Sequence, residues 1–338
     1  PEDAADVAAY LASLTSGNPV ESVDGSAGSG KALVEQLHLG FWTDALAADA
    51  KRTPSGLKAF LQDPAGHYEF TTFPDVRLSD SEASDIASYV LSERPDVPAI
   101  HAGDVVKGKQ VVAQSCLVCH GEKEETYHIP ASRFTDMWDV DWVSKGCLAD
   151  DRGDAPNLNL DVEQKQALIA FRNSTASALT TWTPREYAER TIERLNCVQC
   201  HTGGNTLPDI SHAGEKLRTD WLESLFEGTA GQVRPWIEAR MPAFKSRAKH
   251  LSIALAANHG SVIEYSEKKA DENLIDVGEH LVGMTGYACV TCHAVGDQAA
   301  VMAFEGQGPN FVLAGERLRY DYFQSWMHWP QRYVPTTI

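Results

Sequence analysis

No stretch of the chain approaches the roughly 20 uninterrupted apolar residues that a membrane-spanning helix needs, so no membrane insertion is expected in this part of the polypeptide. Basic residues are scarce: 29 Lys and Arg against 47 Asp and Glu leave a formal charge of −18. Such a surface repels nucleic acid and anionic lipid and suits a partner that carries basic patches. No glycine-rich phosphate loop, no Ser/His/Asp arrangement and no calcium loop is spelled out, which removes the commonest nucleotide, hydrolase and calcium-sensor readings. The chain also opens without a start methionine or a leader, on the amphipathic pattern Pro1-Glu2-Asp3-Ala4-Ala5-Asp6-Val7-Ala8-Ala9-Tyr10. It stops at Val334-Pro335-Thr336-Thr337-Ile338 without a terminating element. The expectation is a piece of a longer polypeptide, with other domains or subunits of a larger protein as partners.

With 43% hydrophobic and 22% charged residues the composition is that of a folded protein. Cysteine is sparse, seven in 338 residues, yet six of the seven fall into three copies of one pattern. These are Cys116-x-x-Cys119-His120, Cys197-x-x-Cys200-His201 and Cys289-x-x-Cys292-His293. Two thiols three positions apart reach the two vinyl groups of one haem, and the adjacent histidine is then placed under the iron. A disulfide framework would not put His after every second Cys. A zinc ribbon needs its two C-x-x-C knuckles closer together than first cysteines at 116, 197 and 289 allow. The three motifs predict three covalently bound haem c groups. Covalent attachment takes place outside the bacterial cytoplasmic membrane, so a periplasmic or extracellular location follows.

The chain repeats itself around these motifs. Helical patterns lead into each one from Gly108, Glu189 and Gly278, and each motif is followed by a Pro-containing loop and a second helix. That is the minimal cytochrome c plan, and it predicts an all-α fold of tandem small cytochrome c-like helical domains with long loops. A fourth, degenerate copy starts at Gly30-Lys31-Ala32-Leu33. It places His38, Phe41 and Trp42 where two cysteines and the histidine would stand, and Phe73-Pro74 where a ligand Met would precede Pro. Residues 18–98 are therefore expected to form a haemless cytochrome c-like domain with aromatic side chains in the haem space. Residues 1–17 read as the closing helix of another, truncated copy. Haem domains are expected over 99–177, 178–269 and 270–338, the last incomplete at its C-terminus.

The sixth ligand decides whether an iron is sealed for electron transfer or open to substrate. For the second motif Arg240-Met241-Pro242-Ala243-Phe244 supplies Met241. For the third, the expected Met would lie past Ile338, with Met302, Met327 or His328 as alternatives. The first motif departs from the pattern, because Ala155 stands before Pro156. Cys147, His128 and Met137 are its candidate ligands, or the site is open. Trp138, Trp142, Trp236, Trp326 and Trp329 are expected to pack on haem or in cores.

The runs Gly214-Glu215-Lys216-Leu217-Arg218, Arg240-Met241-Pro242-Ala243-Phe244, Cys289-Val290-Thr291-Cys292-His293 and Gly315-Glu316-Arg317-Leu318-Arg319 resemble the large multidomain c-type cytochromes of planctomycetes. The resemblance spans roughly residues 20 to 338. It implies His120, His201 and His293 as proximal ligands, Met241 as a distal ligand, a Met beyond Ile338 for the third haem, and a structural or ligating role for Cys147. The function expected is electron transfer between redox partner proteins outside the cytoplasm, without catalysis. The alternatives are a haem enzyme of peroxidase or thiosulfate-oxidising type acting at the first haem, and an assembly role for the haemless domain.

Overall fold

The computed structural model describes residues 2–14, 22–49, 52–95, 102–117, 121–123, 126–128, 141–144, 148–150, 158–174, 182–201, 207–264, 266, 271–302 and 306–335. Helix α1 covers Glu2–Ser13, α2 Ala27–Gln36, α3 Gly40–Asp49, α4 Pro54–Gln62, α5 Pro64–His67 and α6 Asp80–Ser92. Next come α7 (Val105–Val111), the strands β1 (Gly121–Lys123) and β2 (Thr126–His128), and α8 (Val162–Arg172). Then follow α9 (Pro184–Arg194), α10 (Ala213–Lys216), α11 (Thr219–Glu227), α12 (Ala248–Asn258), α13 (Ile275–Val282), α14 (Val312–Arg317) and α15 (Tyr320–His328). The fold is thus mostly helical, as expected. The one departure from an all-α chain among the described residues is the antiparallel hairpin that pairs Glu122 with Tyr127. No described helix is long and apolar enough to cross a membrane.

The chain divides into two compact units, Pro1–Pro19 with Asp96–Trp182, and Val20–Pro95 with Thr183–Ile338. In the first unit α1 crosses α7 in close contact. A Cβ on Gly108 would run into the Asp6 carbonyl and the Cβ of Tyr10, and one on Gly103 into the Ala5 carbonyl. The Asp6 carboxylate accepts the Asp104 N–H at 2.6 Å, and Tyr10 is buried. Helix α1 therefore closes the unit that carries the first motif. The closing helix expected over residues 1–17 is therefore packed on the helix that opens residues 99–177. Helix α8, where the closing helix of residues 99–177 was expected, begins at an Asp161/Gln164 capping box and buries none of its residues. Beyond α7 the backbone widens into a π turn, Val112–Cys116.

In the second unit α2 crosses α6 by the same device. Gly30 lies against the Asp85 carbonyl and Tyr89, Gly25 lies against the Ser84 carbonyl, and Asp85 accepts the Ser26 N–H at 2.7 Å. Ser79 and Glu82 start α6 as a reciprocal capping box, and Ala83, Ile86, Ala87 and Val90 form its buried face at helical spacing. Thr53 and Pro54 start α4, which adds Leu57, Phe60 and Leu61 to the same core. A second core lies around α9, α11 and α12, with Ala188 of α9 buried alongside Leu222, Phe226, Leu251 and Leu255. Each fully buried Leu or Ile adds about 1.5–3 kcal/mol of transfer free energy to such cores.

Two copies of one pentapeptide join the rest. Lys216–Arg218 and Arg317–Arg319 run antiparallel and exchange main-chain bonds, Arg218 N–H to the Arg317 carbonyl at 2.9 Å and Arg319 N–H to the Lys216 carbonyl at 3.0 Å. The buried Arg319 guanidinium donates to the Gly214, Leu217 and Val262 carbonyls and to Thr219 Oγ1 at 2.8–3.0 Å. Arg218 donates to the Gly315 carbonyl at 3.0 Å.

Two predictions follow from these contacts. Gly30→Ala forces α2 off α6 and lowers unfolding free energy by about 1–3 kcal/mol in urea denaturation. Gly278→Ala in α13, where a Cβ meets nothing, leaves stability unchanged or raises it by up to about 1 kcal/mol. Separately, the hydrogen bond from Arg240 holds the Glu82 carboxyl at about 2, against an ordinary 4.5, with the Ser79 N–H adding to the effect and burial opposing it. A carboxyl lowered on folding contributes stability in full above its unfolded pKa and loses it as pH falls toward the folded one. The gap in urea midpoint between wild type and Glu82→Gln is therefore constant from pH 7 to about 5 and closes between there and about 2.

Candidate functional site

The second and third motifs fold alike. Helix α9 ends at Leu195, Asn196 turns left-handed at φ 54°, and Cys197–Gln199 form a 3-10 turn. In the third motif Ala288 turns left-handed at φ 56° before the 3-10 turn Cys289–Thr291. The turn bonds match, with Cys200 N–H to Cys197 O and Cys292 N–H to Cys289 O both at 3.2 Å, and His201 N–H to Cys197 O and His293 N–H to Cys289 O both at 3.0 Å. All four thiols are half-buried, and burial pushes that of Cys197 up to about 11, so it stands protonated.

The histidines are held alike as well. His201 Nδ1 lies 2.7 Å from the Pro208 carbonyl and His293 Nδ1 lies 2.7 Å from the Pro309 carbonyl. A carbonyl oxygen only accepts, so the proton sits on Nδ1 and the Nε2 lone pair is left for a metal. Fixing a ligand histidine through its other nitrogen is how proteins orient an imidazole on a metal. At the third site Gly308 lies so close under the His293 ring that any Cβ would strike it, and Phe311 stacks on the ring at 4.3 Å between centroids. Asn310 pins this loop, accepting the Gly296 N–H at 3.0 Å and donating to the Gly296 carbonyl at 2.7 Å.

A cavity of about 560 Å³ opens beside the second motif, within the range for a ligand pocket. Cys197, Cys200, His201 and Met241 all stand in its wall, which brings together every residue expected at the second site. Most of the remaining wall is apolar, including Trp221, Leu222, Phe226, Phe244, Leu251 and Leu255. Lys216, Arg234 and Arg317 also reach it. Burial, then the guanidinium groups of Arg317 and Arg234, push the Lys216 amine down to about 8. Burial and then Arg234 lower Arg317 to about 10, and its Nε has no partner among the described residues. Asp209, also in the wall, offsets the cluster in part. An apolar slot with two thiols, a free imidazole nitrogen, a thioether and a surplus of buried cation fits an iron porphyrin with two carboxylate tails. The cations carry no sequence motif of their own; their one signal is the recurring pentapeptide that supplies Lys216 and Arg317.

Elsewhere the outcome is mixed. Cys116 is exposed at the end of the π turn rather than following a left-handed residue, while Cys119, His120, Cys147, Met137, Trp138, Ala155, Pro156 and Ile338 lie outside the described residues. The backbone of His128 is in β2. Met302 and Met327 are more than half exposed. Trp329 at 63% and Trp236 at 39% exposure are surface residues, whereas Trp326 packs beside the Tyr322–Tyr333 pair, its ring 6.1 and 6.4 Å from theirs.

In residues 22–95 the structure moves the degenerate motif by one position. Helix α2 ends at Leu37 and His38 takes the left-handed turn at φ 56°. Trp42 N–H and Thr43 N–H both bond Leu39 O at 3.0 Å, as Cys200 and His201 do to Cys197 O. Leu39, Trp42 and Thr43, all buried, stand in this turn where Cys197, Cys200 and His201 stand in the second motif, one position later than His38, Phe41 and Trp42 were expected to match. Phe73 is buried against Phe60, with centroids 5.2 Å apart, in one core with Leu39 and Trp42. Compared with family models, curated proteins and solved structures, the chain matches none.

Replacing Arg317 by Met tests the cation surplus. In chain produced without haem the substitution raises the unfolding free energy measured in urea by about 1 kcal/mol or more, because it removes a buried charge with an unpaired N–H. In haem-bearing chain the same substitution lowers it.

Proposed function

We propose that the protein is a multihaem c-type cytochrome that transfers electrons between redox partner proteins outside the cytoplasm, in the periplasm or extracellular space. The observation that carries the reading is the pair of matching C-x-x-C-H turns in which each histidine gives its Nδ1 proton to a prolyl carbonyl and keeps Nε2 free. A disulfide or thioredoxin-like use of the cysteines gives no reason for that second feature.

When bound, each haem supplies a one-electron couple. The chain's own part at the second site is to tether through Cys197 and Cys200, to ligate through His201 and Met241, and to exclude water with the apolar wall. Lys216, Arg234 and Arg317 hold the negative carboxylate tails where few other counter-ions reach. At the third site Cys289, Cys292 and His293 do the same with the Asn310 loop behind them. Cys116, Cys119 and His120 complete the count of three. The charge of −18 favours partners with basic patches and disfavours nucleic acid.

Protein produced with a c-type maturation system is expected to carry three haems per chain by pyridine haemochrome assay. The variant Cys197→Ala/Cys200→Ala is expected to carry two, and Met241→His to keep three while lowering one midpoint potential in a redox titration. A haem content of zero in the wild type overturns the reading.

A further inference from the structure

The haemless module, residues 22–95, carries no ligands of its own and yet meets the second site along the segment that carries Met241. Asp75 O accepts the Ala243 N–H at 2.8 Å, and Arg77 Nη2 donates to the Met241 carbonyl at 3.1 Å. The Arg240 guanidinium forks onto both Glu82 oxygens at 2.5 and 3.1 Å. Six residues past Met241, the buried Arg247 donates to the Phe70 and Thr71 carbonyls at 2.6 and 2.8 Å, and Ser246 Oγ donates to the Glu69 carbonyl at 2.7 Å. The main chain on both sides of Met241 is thereby tied down, and one of the ties, that of Asp75, lies in Phe73-Pro74-Asp75, which aligns with Met241-Pro242-Ala243. Gln36, Leu37 and Arg77 of the module also stand in the cavity wall.

We propose that the haemless module is a brace for the sixth ligand of the second haem, with Asp75, Arg77 and Glu82 as its positioning residues. The inference rests on the cytochrome reading above. A thioether is a weak, neutral donor, so its hold on iron depends on how little the peptide around it moves. Several charge-assisted or main-chain bonds from a second packed core restrict that movement more than a loop of the haem domain alone. This is a use for a cytochrome fold without haem: its surviving ligand loop has become a docking edge for a working one.

The test uses the full haem-bearing chain in its ferric form, with imidazole as the competing ligand. Glu82→Gln and Arg77→Ala are each expected to raise the imidazole association constant at one haem about tenfold, the loss of one hydrogen bond to a charged group. They are also expected to weaken the deep-red thioether-to-iron charge-transfer band, while haem content and far-ultraviolet circular dichroism stay at wild-type values. Met241→Leu sets the upper limit of the effect. Lys58→Ala, which breaks the 2.7 Å pair with Asp80 in the same module, is expected to leave the constant unchanged. If Arg77→Ala does not fold, the isosteric Glu82→Gln carries the test. Wild-type imidazole affinity and an intact band in Glu82→Gln overturn the brace. Absence of haem from wild-type protein, read by the haem count before any titration, overturns the cytochrome reading itself.

Discussion

The constraint that recurs in the N-terminal part of this chain is the close crossing of two helices, where two glycines five residues apart let one backbone lie against the carbonyls of the other. The contact occurs at Gly103 and Gly108 against α1 and again at Gly25 and Gly30 against α6, each time with an aspartate that caps the incoming strand of chain and a tyrosine that covers the second glycine. Because glycine is the one residue that fits there, the crossing point is fixed to the ångström. The end of the opening helix is fixed with it. In residues 22–95 that end delivers the left-handed turn at His38, the equivalent of the turns at Asn196 and Ala288 that precede the thiols. Helix packing in this way sets where the turn after α2 begins.

Electrostatics refine what packing sets. The acidic surface as a whole contrasts with the cation cluster at the second cavity, where burial and mutual repulsion lower Lys216 and Arg317 and leave them short of anionic partners. Glu82 serves twice, as the capping-box residue of α6 and as the anion for Arg240. Its low pKa reflects both bonds, and the start of α6 and the Met241 segment are stabilised by one carboxylate.

The parts of this structure that were legible in the sequence are those written in short, local patterns. The helical character, the C-x-x-C-H turns at Cys197 and Cys289, and Met241 beside the second pair of thiols all rest on spacing of a few residues. The opening helix from Gly30 onward is legible as well, but its end is not: His38 reads as a ligand by type, whereas its backbone makes the left-handed turn after α2. The helix of residues 1–17 is legible, but not its packing partner, because α7 lies about a hundred positions along the chain and no local signal records that distance. The Pro208 and Pro309 carbonyls, the Arg317 side chain at the second cavity and the hold of Arg77 on Met241 are likewise products of tertiary contact. The recurrence of Gly-Glu-Lys-Leu-Arg as Gly-Glu-Arg-Leu-Arg marked the two segments without revealing that they pair with each other.

That pairing bears on how far these modules are separable parts. Main-chain bonds between Lys216–Arg218 and Arg317–Arg319 carry the Arg317 side chain out of the third module and into the wall of the second module's cavity. A fragment trimmed to residues 183–264 would keep both thiols, the histidine and the methionine, yet it would present a gap and exposed carbonyls where Arg317 and Arg319 belong. Residues 183–264 are thus not a self-sufficient part: copied elsewhere alone, they would carry a cavity whose wall lacks Arg317 and also Gln36, Leu37 and Arg77.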